Sequence, residues 1–453
     1  MAIKKPFNIP NIKMNPVQVL ALGFALVILL GSLLLMLPIA TLSGKTTPFI
    51  DALFISTSSV CVTGLVTVDT ATHWNYFGKT VIMTLIQIGG LGFMSFATIA
   101  AVFMGKKLGL RDRLLMQEAY NAINLQGIIR MVRYVVAFTF GVEIIGAVIL
   151  SSQFVPMYGW GKGLYYSIFH SISAFCNAGF DLMGNYTSLT SLSSNPVVLW
   201  TMILIIVASG LGFSVWMELW SFKSLNKLTL HSKLVLSTTL VLIFGGFILF
   251  FIFEFNNPLT FGGMNMFDKV TNAMFASVTP RTAGFNAVSV GDMSMTSRLL
   301  TIILMFIGGS PGSTAGGVKT TGISVLFLTV VCVIRGRNDP EAFGRRIDKK
   351  YVFKAFAIVA LALALVLGVT MWLSYFESGQ GRNMETLIFE ATSAFATVGL
   401  SEGITPSIET GSKIGLIFGM YLGRVGPITV LLALSRRRPP TQISYPEAKI
   451  LIG

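Results

Sequence analysis

The chain has 453 residues, of which 53% are hydrophobic and only 11% are charged, and its mean hydropathy is +0.74. This composition excludes an ordinary soluble domain, because so much apolar surface requires lipid as the solvent for a large part of the chain. The formal net charge of +14 at pH 7 is compatible with nucleic-acid binding, but basic residues in a membrane chain more often mark cytoplasmic loops, so we expect no nucleic-acid partner.

Apolar runs fall into four similar units, each with a span, a helix too short to cross a bilayer, and a second span. In chain order, we predict first spans near 17–37, 131–150, 234–253 and 351–375. The predicted short re-entrant helices lie near 49–59, 164–174, 267–279 and 384–394, and the second spans near 80–104, 197–220, 299–334 and 414–434. The predicted units are a cytoplasmic leader (1–16), repeat 1 (17–113), repeat 2 (114–230), repeat 3 (231–350), repeat 4 (351–438) and a cytoplasmic tail (439–453).

Each short helix is followed by a stretch that ends in glycine and then leucine or phenylalanine. The four glycines are separated by 115, 105 and 115 positions: Gly64, Gly179, Gly284 and Gly399. The residues ten positions before them are Phe54, Phe169, Met274 and Phe389, and the residues six positions before them are Ser58, Ser173, Val278 and Ser393. A period of this length is too long for a solenoid and indicates a duplicated membrane hairpin. The expected fold is an all-α integral membrane protein with four tandem helix–pore loop–helix repeats in a pseudo-fourfold arrangement around one pore.

The four glycine stretches have the composition of an ion filter made from backbone oxygens. A cation that loses its water can be coordinated by carbonyls if the chain is extended toward one axis, and glycine suits the tight position. No carboxylate lies in the candidate filter, so selectivity is expected to come from carbonyl dipoles. Its residues are Cys61, Val62, Thr63, Gly64, Cys176, Asn177, Ala178, Gly179, Arg281, Thr282, Ala283, Gly284, Ala396, Thr397, Val398 and Gly399. Glycines that only allow close helix packing are the alternative, but four in register favour a filter.

The distribution of Lys and Arg predicts the orientation of the chain in the membrane. With both termini inside, 24 of the 33 basic residues fall on the cytoplasmic side and eight on the outer side, while Arg424 lies within a span. This excess agrees with the positive-inside rule. The basic loop 335–350 is either a topology signal alone or also a docking site for an acidic partner or anionic membrane lipids.

The second span of repeat 3 is interrupted by five glycines and one proline within residues 307–319, which cannot form a regular helix. Because irregular backbone at membrane depth is tolerated only inside protein or along a pore, we interpret this segment as a gate, with a packing kink as the alternative. Arg424 is either an electrostatic barrier beside it or the member of a structural contact. The candidate gate residues are Gly308, Gly309, Ser310, Pro311, Gly312, Ser313, Thr314, Ala315, Gly316, Gly317, Lys319 and Arg424.

Three other polar residues have open roles. His170 and Glu390 both stand nine positions before a motif glycine and either support the filter from behind or make ordinary packing hydrogen bonds. Glu143 lies in a span, where it either binds a coupling ion or makes an interhelical hydrogen bond.

The four-hairpin plan, with one glycine in each filter stretch and with Thr279-Pro280-Arg281-Thr282-Ala283-Gly284-Phe285 in repeat 3, resembles the Trk/Ktr/HKT superfamily of potassium transporters. Trk-type members carry two extra leading helices, which this sequence does not show, and sodium-selective plant members often have serine where Gly64 stands. The chain is therefore most similar to the bacterial Ktr-type membrane subunit (KtrB-like). The resemblance implies potassium uptake across the bacterial cytoplasmic membrane, with K⁺ as substrate and sodium stimulation in many members. It also implies homodimers with one pore per chain and a cytosolic, nucleotide-binding regulatory ring (KtrA-like).

Two other function classes are less consistent with the sequence. An ion-coupled secondary transporter, such as a sodium/potassium symporter, usually has intramembrane acids at its broken helices, and the four broken stretches contain none. An enzyme is not expected, because the three histidines lie far apart and show no metal-ligand spacing. Residues 312–319 do not match a phosphate-binding loop either, so we expect no organic cofactor on this chain and nucleotide control by another polypeptide.

Overall fold

The computed structural model describes residues 16–92, 128–220 and 228–426, with only the backbone at residues 16–17 and 128–131. Several predictions therefore lie outside the described residues: nearly all of the leader, the parts of two second spans beyond residues 92 and 426, the start of repeat 2, and the tail. Within the described ranges the chain is mostly α-helical, and one small antiparallel hairpin joins β1 (Glu341–Ala342) to β2 (Arg345–Arg346). This composition agrees with the predicted all-α class.

The helices of the described ranges are numbered here in chain order. They are α1 (Pro16–Met36), α2 (Phe49–Cys61), α3 (Thr70–His73), α4 (Tyr76–Leu91), α5 (Ile128–Tyr158), α6 (Trp160–Cys176), α7 (Pro196–Gly210), α8 (Phe213–Trp220), α9 (Leu230–Glu254), α10 (Met266–Val278), α11 (Met295–Phe306), α12 (Thr320–Ile334), α13 (Lys349–Phe376), α14 (Met384–Ala396) and α15 (Thr410–Val425).

Helices α1, α5, α9 and α13 are long and apolar enough to cross a membrane, and they coincide with the four predicted first spans. Each packs against the short helix that follows it, which is α2, α6, α10 or α14. Large apolar side chains such as Leu26 and Val241 remain exposed on these helices, as expected where lipid is the solvent. The predicted hairpin of a span and a short helix is therefore present in all four units.

The first three hairpins share a small-residue contact that brings their helices close together. The hydroxyl of Ser56 in α2 donates a hydrogen bond to the carbonyl of Ile28 in α1 at 2.6 Å, and Ser171 and Ser277 make the same bond to Glu143 and Ile243. A glycine of each first span lies directly against the serine hydroxyl: Gly31, Gly146 and Gly246. Small residues and hydroxyl groups are typical of packed helices in membranes.

The second spans are more broken than the sequence suggested. Repeat 3 has the predicted break, since α11 ends at Phe306 and α12 begins at Thr320. The predicted second span over 197–220 is divided into α7 and α8, which are bent by 96° around Gly212, whose φ is +92°. Helices α4 and α15 also end earlier than expected, at Leu91 and Val425, before glycines with positive φ.

Candidate functional site

The four motif glycines lie together in a closed ring. A Cβ built on Gly64 would lie 3.1 Å from the Cα of Gly179, and one on Gly179 would lie 3.0 Å from the Cα of Gly284. A Cβ on Gly284 would lie 3.2 Å from the carbonyl carbon of Val398, and one on Gly399 would lie 3.0 Å from the Cα of Gly64. Each glycine therefore lies against the backbone of the next filter segment in chain order, and the fourth segment closes onto the first.

Carbonyl oxygens fill the space that side chains would need at this ring. The Cβ built on each glycine meets the carbonyl oxygen just before the neighbouring glycine, which belongs to Ala178, Ala283, Val398 or Thr63. The φ angles of the four glycines lie between +69° and +96°, where residues with a Cβ are disfavoured. Both the conformation and the close approach of backbone oxygens therefore require glycine.

A left-handed residue turns each segment from its short helix toward the ring. Val62, Asn177, Thr282 and Thr397 stand two positions before the glycines, and their φ angles lie between +51° and +76°. In repeat 1, the N–H groups of Val62 and Thr63 donate to the carbonyls of Ser59 and Ser58 at 3.2 and 2.8 Å. Such bonds close the carboxyl end of a helix while the chain changes direction.

This geometry corrects the expected extended backbone over four residues. Cys61, Cys176 and Ala396, the first residues of three filter stretches, are the last residues of their helices. Arg281 occupies the same position in repeat 3, and its buried guanidinium points to Thr239 of α9, with Nη2 3.5 Å from the hydroxyl oxygen. The carbonyls that lie against the four glycines belong to the residues directly before them.

Hydroxyl groups of the short helices hold the segments in place. The N–H groups of Gly64 and Gly399 donate to the hydroxyls of Ser58 and Ser393 at 3.0 and 3.1 Å. The hydroxyl of Ser173 donates to the carbonyl of Phe180 at 2.7 Å. Each of these three serines therefore supports its own filter segment at the sixth position before the glycine.

In repeat 3 the supporting hydroxyl and the buried aromatic ring lie one position closer to the glycine than in the other repeats, an offset that the sequence analysis did not predict. Thr279, not Val278, supplies the hydroxyl, which donates to the carbonyl of Phe285. The fully buried aromatic equivalent to Phe54 is likewise Phe275, not Met274. A shift of one position restores the match of both residue types, so the signal was present in the sequence.

Three threonine hydroxyls near the ring have no hydrogen-bond partner within the described residues. They are the hydroxyls of Thr63, Thr282 and Thr397, all completely buried. Buried polar atoms are usually paired, so these hydroxyls retain the capacity to bind water or an ion near the glycines.

The candidate gate segment 307–319 folds back into the protein between α11 and α12. Its two ends pair through the N–H of Gly308, which donates to the carbonyl of Val318 at 2.9 Å. Its first half is attached to the α7–α8 bend, because Ser310 N–H donates to the carbonyl of Gly210 at 3.0 Å and Phe213 N–H donates to that of Gly312 at 2.9 Å. The sharp bend in repeat 2 thus has partners a hundred residues away.

The second half of the same segment contacts the helix ends below the ring. The hydroxyl of Thr314 donates to the carbonyl of Phe175 at 3.1 Å and accepts a hydrogen bond from the side chain of Asn177 at 3.0 Å. A Cβ built on Gly316 would meet the hydroxyl of Thr397 and lie 3.0 Å from the carbonyl oxygen of Ala396. The segment is therefore packed directly against two of the four filter stretches.

Two partly buried cations bind carbonyls of this region. The guanidinium of Arg424 donates to the carbonyls of Thr314, Gly89 and Gly90, and the ammonium of Lys319 donates to that of Ala315 at 2.6 Å. Neither side chain forms an ion pair with a carboxylate in the described part of the chain. Arg424 thus has the structural carbonyl contacts that one interpretation predicted, and it fastens the segment to the end of α4.

The other polar residues singled out in the sequence lie behind the ring. The ring nitrogen Nε2 of His170 accepts a hydrogen bond from the N–H of Leu182 at 3.3 Å, and Glu390 accepts hydrogen bonds from Ser401 and Thr405. Both residues therefore hold the chain just after a motif glycine. Glu143 accepts an interhelical hydrogen bond from the side-chain amide of Gln87 at 3.0 Å.

Four membrane hairpins that bring backbone oxygens to one ring, with an irregular segment packed against it, define a cation-transporting membrane protein as a class. A family model described as "TrkH: Cation transport protein" matches residues 5–444, and the chain therefore belongs to this family.

Two curated proteins are similar to this chain over nearly its whole length. The potassium/sodium uptake protein NtpJ of Enterococcus hirae is 43% identical over 444 residues, covering 97% of this chain and 98% of that protein. The Ktr system potassium uptake protein B of Bacillus subtilis is 40% identical over 453 residues, with both chains fully covered. The crystal structure of the potassium transporter TrkH from Vibrio parahaemolyticus matches with a TM-score of 0.74 at 17% identity, covering 94% of this chain and 86% of that one, and shares the fold.

Proposed function

We propose that this chain is the ion-conducting subunit of a Ktr-type system and carries K⁺ into the cell across the bacterial cytoplasmic membrane. Two full-length relatives are named for potassium uptake. The observation that carries the proposal is the closed ring of Gly64, Gly179, Gly284 and Gly399, in which each glycine lies against the next segment's backbone.

In the proposed mechanism, the carbonyls preceding the four glycines replace the water that a K⁺ ion loses. A ring of neutral dipoles binds a monovalent cation while still allowing it to leave. The hydroxyls of Ser58, Ser173, Thr279 and Ser393 keep the segments in position, since each bonds backbone on the glycine side of its own stretch. The unpaired threonine hydroxyls supply further oxygen ligands on the inner side.

We propose that segment 307–319 and Arg424 form the gate, and that this structure represents its closed state. The segment is packed below the ring, and Arg424 places a positive charge there while bonding the carbonyl of Thr314. A K⁺ ion leaving the filter meets both a backbone obstruction and charge repulsion. Opening requires the segment to break its contacts with Asn177, with Thr397 and with the α7–α8 bend.

We also propose how this subunit assembles and is regulated, on the basis of its family resemblance. The subunit forms a homodimer with one pore per chain, keeps both termini in the cytoplasm, and is controlled by a cytosolic nucleotide-binding ring. Sodium acts as an activator. Sodium/potassium symport is the second candidate, because the Enterococcus relative is named a potassium/sodium uptake protein.

Proteoliposomes containing the purified protein test the function directly. Uptake of ⁸⁶Rb⁺ driven by an outward K⁺ gradient should occur and should be inhibited more strongly by K⁺ than by Na⁺. The regulatory subunit, ATP and a sodium gradient are added in separate arms, and an absolute need for the sodium gradient would favour symport. Folded protein that takes up no Rb⁺ in any arm would overturn the proposal.

A further inference from the structure

The outer ends of the four repeats are joined by unequal contacts. The fourth residues of the four second spans are Lys79, Leu199, Arg298 and Lys413. The first turns of the next repeats' short helices contain the charged residues Lys162, Asp268, Glu385 and Asp51. Only two of these four pairs, among the described residues, combine opposite charges.

Both pairs of opposite charge involve repeat 4. Nε of Arg298 lies 3.2 Å from Oε1 of Glu385, which joins repeat 3 to repeat 4. Nζ of Lys413 lies 2.7 Å from Oδ1 of Asp51, which joins repeat 4 back to repeat 1. Each carboxylate stands in the first turn of a helix, where the helix dipole also stabilises a negative charge.

At the other two junctions, the described part of the chain shows no equivalent ion pair. Lys79 faces another lysine of repeat 2 and donates instead to the carbonyl of Ala71 in its own repeat, at 2.7 Å. Repeats 2 and 3 are joined by neutral bonds, in which Leu189 N–H donates to the carbonyl of Asn286 at 3.0 Å and the amide of Asn272 donates to that of Ser193 at 2.8 Å. Within the described residues, repeat 4 is therefore the repeat that these ion pairs join to both of its neighbours.

Arg298 also reaches the chain just beyond the fourth glycine. Its Nη1 lies 3.5 Å from Oε2 of Glu402, three residues after Gly399, and the side chain of Glu402 is only 5% exposed. The same carboxylate oxygen accepts a hydrogen bond from the hydroxyl of Thr386 at 2.8 Å. One guanidinium thus connects α11, the start of α14 and the exit of the fourth filter stretch, and the planar group of arginine suits such a shared contact.

We propose that Arg298 is a positioning residue for ion selectivity, which fixes the fourth filter segment relative to repeat 3 through Glu385 and Glu402. The inference rests on the proposed potassium transport. Without the contacts of Arg298 with Glu385 and Glu402, the distance of the fourth segment from the other three varies more. Its carbonyls can then coordinate Na⁺ as well as K⁺. Arg298 itself does not contact the transported ion.

The test compares Arg298→Gln and Arg298→Lys with Lys162→Gln in proteoliposomes. Lys162 is exposed at the outer end of α6, so its replacement removes an outer positive charge without breaking a junction between repeats. Inhibition of ⁸⁶Rb⁺ uptake by each cation gives its half-inhibitory concentration. The Na⁺/K⁺ ratio is the half-inhibitory concentration of Na⁺ divided by that of K⁺, and a high ratio means selectivity for K⁺. A merely structural role would lower the melting temperature and the amount of active protein, but it would leave this ratio unchanged.

We expect Arg298→Gln to reduce the Na⁺/K⁺ ratio at least about threefold, within the range of couplings between contacting residues. Arg298→Lys should fall between this variant and the wild type, and Lys162→Gln should match the wild type. If Arg298→Gln does not fold, Glu402→Gln serves as the second variant and should shift the ratio in the same direction. An unchanged ratio in the folded variants would overturn the inference, whereas a wild type without Rb⁺ uptake would refute the proposed function instead.

Discussion

The glycine ring and the segment 307–319 meet inside the protein but are built in opposite ways. All four repeats contribute to the ring, and each contribution has a short helix, a left-handed residue and a glycine. The segment comes from repeat 3 alone, and it is attached to repeat 2 at Gly210, Gly212 and Phe213. Equal contributions suit the proposed selection of a spherical ion, while a segment from a single repeat suits the proposed gate, because its position can change while the four glycines stay in place.

The largest effect is expected from a side chain at the ring. Gly284→Ala places a methyl group against the carbonyl of Val398 at a φ of +79°, which combines backbone strain of about 1–3 kcal/mol with a steric collision. We expect ⁸⁶Rb⁺ uptake to fall by roughly tenfold or more, equivalent to at least about 1.4 kcal/mol. Gly245→Ala, at a position with open space, should transport normally; equal uptake by both variants would contradict the filter assignment.

Deleting residues 308–316 should have the opposite effect on transport. The deletion removes the backbone that lies against Thr397 and Asn177 but leaves the four glycines in place. We expect uptake in the absence of the regulatory subunit to rise severalfold and to lose its response to that subunit. The measurement is initial ⁸⁶Rb⁺ uptake per folded protein, and a folded but silent deletion variant would show that the segment does not block the pore.

Arg424 should contribute a smaller part of the same barrier. Arg424→Ala removes a charge and the carbonyl contacts with Thr314, Gly89 and Gly90, so uptake should increase, though less than in the deletion variant. Arg424→Lys retains the charge with fewer donors and should lie closer to the wild type. Wild-type flux in Arg424→Ala with normal expression would leave this arginine with a structural role alone.

The smallest effects are expected from single supporting hydroxyls. Ser58→Ala leaves the N–H of Gly64 without its 3.0 Å partner, at a cost of about 1–3 kcal/mol for an unpaired buried donor. We expect weaker K⁺ protection of the protein against thermal unfolding, with uptake reduced but present. Ser151→Ala, whose hydroxyl bonds within α5 on an exposed face, is the control and should show wild-type protection. Equal K⁺ protection in both variants would show that Ser58 does not support the filter.

The difference between the glycine ring and the segment 307–319 also explains which features could be predicted from the sequence. The hairpins and the ring follow from local signals repeated four times, so apolar length and the recurrence of glycine were sufficient to place them. The one-residue offset of Thr279 escaped because the spacing was measured rigidly from the glycine.

Long-range contacts explain most of what the sequence did not reveal. The 96° bend between α7 and α8 depends on backbone hydrogen bonds to Ser310 and Gly312, and nothing within 197–220 specifies those partners. The ion pairs of Arg298 with Glu385 and Glu402 likewise join residues up to about a hundred positions apart. In the sequence, these three residues look like ordinary charged surface residues.

The central claim is that the four glycine segments enclose one cation, and anomalous diffraction from crystals grown with Rb⁺ tests it most directly. We expect a Rb⁺ peak on the axis shared by Gly64, Gly179, Gly284 and Gly399, within coordination distance of carbonyls from all four repeats. Ordered Rb⁺ found only away from this ring, with the ring itself resolved and empty, would contradict it.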